Sequence, residues 1–113
     1  SVRAKEKEEA RKLISDAKKL EKLGCFAIVL EKIPANLAKK VAHMVNIPII
    51  GIGAGAQVDG QVLVLNDILG MNKEFSPRFL RRYLNLDAEI TKAIKSYTND
   101  VKKQDFPNDK EQY

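Results

Sequence analysis

One carboxylate stands where a run of apolar residues ends. From Cys25 to Leu30 the chain reads CFAIVL, six residues suited to burial, and Glu31 follows directly. In parallel α/β architectures reactive groups collect at the C-terminal ends of strands, so Glu31 is the first candidate for proton-transfer chemistry. A carboxylate at an apolar rim is partly stripped of water, which makes it a stronger base than one in bulk solvent and suits it to general-base work. Two ordinary roles compete: an ion pair with Lys32, or a cap on a helix opening at Pro34.

The second candidate is the turn GIGAGAQVDGQ, which carries Gly51, Gly53, Gly55 and Gly60. Gly51, Gly53 and Ala56 fit the dinucleotide fingerprint in its G-x-G-x-x-A form, but that fingerprint also needs a helix to begin there. Here Asp59 and Gly60 lead into another strand-like run. The better expectation is a backbone shaped for the close approach of a ligand or a neighbouring subunit, with Gly53, Gly55, Asp59 and Gly60 as loop candidates for substrate contact. Asp59 is also a natural turn former, and both it and Asp67 are expected on the same side of the sheet as Glu31. His43, the only histidine, falls off the apolar stripe of its helix and is expected on the surface. With one histidine and one cysteine in the chain, no metal site is expected from this chain alone. Cys25, in its apolar setting, reads as an inert buried thiol.

The elements that must position these residues follow from periodicity. Ala10, Leu13, Ile14, Ala17, Leu20 and Leu23 share one stripe of 3.6 period, predicting an amphipathic helix over residues 4–23 that Gly24 ends. The run Cys25–Leu30 is too short for a helix and lacks alternation, which predicts a strand covered on both faces. Pro34 opens a second helix that turns Leu37, Ala38, Val41, Met44 and Val45 inward. IPIIGIG repeats the short apolar strand, so strand, helix and strand form a right-handed βαβ unit with parallel strands. QVLVLNDIL reads as a third strand running into a helical turn. Ile90, Ala93, Ile94, Tyr97 and Val101 predict a closing helix over residues 87–103, before a polar tail.

The order α, β, α, β, loop, β, α fits either an open doubly wound sheet or part of a (β/α)8 barrel. A whole barrel takes about 250 residues, and this chain has 113, so it could supply only a portion of one. It begins at Ser1 inside a charged helical pattern and without Met, as expected of a fragment or processed chain. The net charge of +5 raises nucleic acid as a partner, yet basic and acidic residues alternate on helix faces and no aromatics interleave with the lysines, so no such binding is expected. The cluster Arg78, Arg81 and Arg82 is better suited to another subunit or a small anion. No apolar run approaches the ~18 residues of a spanning segment, and no signal peptide is visible, so the cytoplasm is the expected compartment.

FAIVLEKIP, IPIIGIGAG and DGQVLVLNDILG, in this order and at these spacings, resemble the C-terminal half of the ketopantoate hydroxymethyltransferase family, over nearly the whole chain. The resemblance implies that the chain supplies the last three strands of a (β/α)8 TIM barrel, a single domain whose N-terminal half lies outside this sequence. It implies transfer of a one-carbon unit from 5,10-methylenetetrahydrofolate to 3-methyl-2-oxobutanoate, giving 2-dehydropantoate in pantothenate biosynthesis. It further implies a homo-oligomer, Mg2+ held by carboxylates of the N-terminal half, and a catalytic glutamate in the VLE motif, here Glu31. On that reading this chain alone is inactive. The alternative is a non-catalytic phosphate- or nucleotide-binding module using the Gly51–Gly55 loop. A third reading is a structural half that only completes an oligomer.

Overall fold

The computed structural model describes all 113 residues and divides into two compact units, residues 1–63 with 77–80, and residues 64–76 with 81–113. In chain order the elements are α1 (Lys7–Lys22), β1 (Ile28–Glu31), α2 (Ala35–Met44), β2 (Ile49–Ile52), β3 (Gly60–Gln61), α3 (Leu65–Ile68) and α4 (Leu86–Lys102). The three strands form one parallel sheet in the order β1-β2-β3.

Local signals account for the first unit. Helix α1 has Glu8 and Glu9 in its first turn and Lys19 and Lys22 in its last, each matched to the sign of the helix dipole there. It stops at Gly24, which takes φ +94° while the Cys25 N–H donates to the Leu20 carbonyl and the Gly24 N–H to that of Glu21. That pair of bonds is a Schellman motif, and the positive φ is why glycine serves there. Pro34 heads α2, its carbonyl accepting from the Leu37 and Ala38 N–H groups. The helix then buries Ala38 and Val41 completely, against Ile49 of β2, which is also fully buried. Burial of each of the two branched side chains contributes about 1.5–3 kcal/mol.

The sheet is one-sided. Leu30, paired with Gly51, and Ile49, paired with Ile28, lie on the face covered by the helices. The other face carries Val29 and Glu31 from β1 and their partners Ile50 and Ile52 from β2, and Val29 is 61% exposed. The apolar run thus reads as buried on both sides, as a parallel sheet demands, but this chain covers only one of them. Phe26 is likewise exposed and Cys25 is half-buried rather than buried.

Other expectations need correction. The third strand reduces to Gly60–Gln61, after which Val62, Val64 and Leu65 are exposed and the chain coils into the single turn α3. Gly60 pairs with Ile50 and Gln61 with Gly51, flanked by bonds from the Asp59 N–H to the Ile49 carbonyl and from the Val62 N–H to the Gly51 carbonyl. Within the second unit, α4 forms where expected and is capped by Asn85, whose side chain accepts from the Ala88 N–H. Its apolar stripe is not buried: Ile90, Ile94, Tyr97 and Val101 all remain exposed, the Phe106 ring packing edge-on to Tyr97 being its one aromatic contact. The helix therefore follows from periodicity, while the burial that periodicity implied does not.

Candidate active site at the C-terminal edge of the sheet

Glu31 is the last residue of β1 rather than the first beyond it, paired across from Ile52. Period-two geometry puts it on the same face as Val29, so the carboxylate rises from the open apolar face of the sheet, with Ile50 and Ile52 beside it. Its side chain is 62% exposed. The apolar rim is present on one side only, and the desolvation expected of a barrel mouth is not supplied by this chain.

Of the two ordinary roles open to Glu31, one is absent and one is present. No side chain caps α2. Lys32 does approach, with its Nζ 3.9 Å from Glu31 Oε1. At that separation and exposure such a pair is worth little, in the range of about 0–1 kcal/mol.

The sequence marks Lys32 only as an ion-pair partner, yet its backbone is unusual. It takes φ +53°, in the left-handed region that costs a non-glycine residue about 1–2 kcal/mol. The cause is legible in retrospect. Ile33 precedes Pro34 and is thereby steered to an extended conformation, so the reversal between β1 and α2 falls on Lys32. Two main-chain bonds hold it there: its N–H donates to the Ile52 carbonyl and its own carbonyl accepts from the Arg3 N–H, both at 2.9 Å. Its ammonium lies 5.9 Å from the centre of the Phe79 ring, within cation–π range. Phe79, brought in by residues 77–80, has no sequence signal that predicts this position.

The glycine loop behaves differently from expectation. No helix starts after β2, which removes the N-terminus a dinucleotide site requires. What approaches the glycines closely is the chain itself. A Cβ on Gly53 would lie 3.1 Å from the Phe79 ring, and one on Gly55, at φ +81°, would lie 2.5 Å from the Ala35 Cβ. Gln61 closes the loop by donating from Nε2 to the Gly55 carbonyl at 2.8 Å. Gly55 thus seats the loop on the first residue of α2.

Asp59 and Gly60 are not on the side of Glu31. The Asp59 carboxylate accepts from the Ile49 N–H at 2.8 Å, and the Asp59 N–H donates to the Ile49 carbonyl at 3.0 Å. Ile49 starts β2, so Asp59 sits at the N-terminal end of the sheet, and Gly60 pairs with Ile50 next to it. A residue directly before a parallel strand must lie at that strand's N-terminal end. Asp67 belongs to α3, in the second unit, rather than to the end of a long third strand. Of the three arginines, Arg82 donates to the carbonyls of Asn72 and Phe75, bracing its own loop. His43 is exposed and held by the Lys39 carbonyl. No three of the His, Cys, Asp and Glu side chains converge as metal ligands would.

These features define an α/β protein whose parallel sheet presents a single acid at its C-terminal edge, where enzymes of this architecture place their chemistry. A sequence model of the family described as ketopantoate hydroxymethyltransferase matches residues 1–109, and the chain belongs to that family, one of transferases. It is similar to the 3-methyl-2-oxobutanoate hydroxymethyltransferase of Flavobacterium johnsoniae, with 72% identity over all 113 residues, and to those of Parabacteroides distasonis and Christiangramia forsetii, each 66% identical over the same length. The chain spans 42%, 41% and 42% of these curated relatives. No helix is long and apolar enough to cross a membrane.

Proposed function

We propose that this chain carries the general base of a hydroxymethyl transfer. Glu31 removes the proton from C3 of 3-methyl-2-oxobutanoate, and the resulting enolate attacks the methylene carbon of 5,10-methylenetetrahydrofolate. The C3–H bond breaks to give the enolate, and the new C–C bond forms to the one-carbon unit as its bonds to the two folate nitrogens break. One water supplies the hydroxyl oxygen and the balance of hydrogen, so that oxo acid, folate donor and water give 2-dehydropantoate and tetrahydrofolate, on the way to pantothenate. The observation that carries the reading is the placement of Glu31 as the one acid on the open apolar face of the sheet, at its C-terminal end. A positioned base contributes about 10²- to 10⁴-fold to such a step.

The face with exposed Val29 and half-buried Ile50 and Ile52 supports the barrel reading, because closing a sheet into a barrel buries such a face on layers of side chains from other strands. On this reading the chain is the C-terminal portion of a (β/α)8 domain, the remaining strands come from the rest of the longer protein, and the assembled enzyme is a cytoplasmic homo-oligomer. Mg2+ chelated by the 2-oxo acid would acidify C3 in the complete enzyme. The residues present here do not fit a site for it: Glu31 stands without a second carboxylate and with an ammonium 3.9 Å away, which disfavours a cation. Glu31 is therefore assigned to the proton and not to the metal.

The test isolates the proton step. In the complete enzyme in D2O, without folate, the C3 position of 3-methyl-2-oxobutanoate should exchange its hydrogen for deuterium, and Glu31→Gln should suppress that exchange at least about 10²-fold. Exchange at the parent rate in the variant would remove the assignment.

A further inference from the structure

The lysine after the base is the least explained residue of the site. The turn from β1 to α2 needs a positive φ, and glycine would supply it without strain. Lysine stands there instead, at φ +53°. The ion pair it makes does not explain the choice through stability, since both side chains are well exposed, at 40% for Lys32 and 62% for Glu31. Backbone strain of this kind concentrates where the surroundings hold a residue for a purpose other than stability.

What the strain achieves is direction. Its N–H is bonded to the Ile52 carbonyl and its carbonyl to the Arg3 N–H, which holds the Lys32 backbone in the left-handed turn. The ammonium lies 3.9 Å from Glu31 Oε1 and 5.9 Å from the centre of the Phe79 ring. Phe79 is itself packed on Gly53, just after β2, where an added Cβ would press on the ring at 3.1 Å. The chain of contacts runs from Gly53 through Phe79 and Lys32 to Glu31, all within one compact unit.

We propose that Lys32 is a positioning residue for Glu31: its strained backbone and the face of Phe79 hold the ammonium beside the carboxylate, which fixes the direction in which that carboxylate points at the edge of the sheet. The proposal rests on the reading of Glu31 as the base. Lys32 touches no reacting atom in it; it narrows the rotamers open to a long, exposed side chain that must meet a C–H bond within hydrogen-bond reach.

The experiment uses the complete enzyme with Lys32→Met, Lys32→Arg, Lys32→Gly and Glu31→Gln, each assayed for kcat, for the Michaelis constant toward the 2-oxo acid and for thermal midpoint. Lys32→Met is expected to lower kcat about 5- to 10-fold with the Michaelis constant unchanged within about twofold, and Lys32→Arg to keep at least about half of the parent kcat. Lys32→Gly separates strain from position: its thermal midpoint should rise as the left-handed strain is relieved, while its kcat falls as in Lys32→Met. If kcat in Lys32→Met stays within about twofold of the parent while Glu31→Gln is inactive, the base reading stands and the positioning proposal is wrong. A loss confined to the Michaelis constant also overturns it, since the lysine would then be binding substrate. Parent-like kcat in Glu31→Gln removes both.

Discussion

Glu31 and Asp59 are carboxylates at opposite ends of the same parallel sheet, and their surroundings divide structural from chemical work. Asp59, at the N-terminal end, is tied by two hydrogen bonds to the backbone of Ile49, a residue with no exposure at all. Glu31, at the C-terminal end, accepts no hydrogen bond from the backbone and has Lys32 as its one charged neighbour. The first acid is spent on closing the loop that returns from β2 to β3. The second is left free to bind a proton. The asymmetry follows from parallel topology, in which the strand starts are joined by connections that must be secured and the strand ends open toward a site.

Breaking the comparison at the chemical end should give the largest effect. Glu31→Gln in the complete enzyme is expected to lower kcat at least about 10²-fold, or about 2.7 kcal/mol of transition-state stabilisation, as read by steady-state kinetics at saturating substrates. The loop between the two acids is next. Gly55→Ala would place a methyl group 2.5 Å from the Ala35 Cβ at a φ of +81°, so left-handed strain and overpacking together should cost about 2–4 kcal/mol in urea unfolding of the same protein. A cost below about 1 kcal/mol would mean that the loop yields easily and is not fixed on α2. Asp59→Ala follows, at about 1.5–3 kcal/mol, because it leaves the buried Ile49 N–H without its charged acceptor, and kcat per folded molecule should stay near the parent value. A loss of kcat without loss of stability would restore Asp59 to the site.

Much of this division is legible in the sequence, and the parts that are not have physical causes. Helix α1, its stop at Gly24 and the start of α2 at Pro34 follow from periodicity and from residues with restricted backbones, and the first two strands from short apolar runs without alternation, the first starting at Ile28 rather than at Cys25. The side of Asp59 is harder to read, because an acid in a glycine loop looks alike at either end of a sheet; only the step from loop to parallel strand fixes it. The long third strand does not form: Val62 and Val64 have strand-like composition, but the parallel pairing ends at Gly51 with Gln61 and the chain enters α3 at Leu65. Composition records what a segment could bury, and pairing depends on neighbours distant in sequence. Lys32 and Phe79 show the same limit from another side. The turn at Lys32 is implied by Pro34, whereas the ring that receives its ammonium comes from residues 77–80 and leaves no local trace.

The smallest expected effect sharpens the comparison most, because it asks the stability question of the catalytic candidate. Glu31→Gln preserves shape and removes charge, and the group it leaves behind is Lys32, whose pair with Glu31 is exposed and long at 3.9 Å. Exposed pairs of this kind contribute about 0–1 kcal/mol, so unfolding of the variant in urea should match the parent within about 0.5 kcal/mol. A small gain is also consistent, since a charge held on an apolar face for chemistry is retained against stability rather than for it. A loss of the size expected for Asp59→Ala would instead place Glu31 with Asp59 as a structural acid, and the difference between the two ends of the sheet would then be one of position alone.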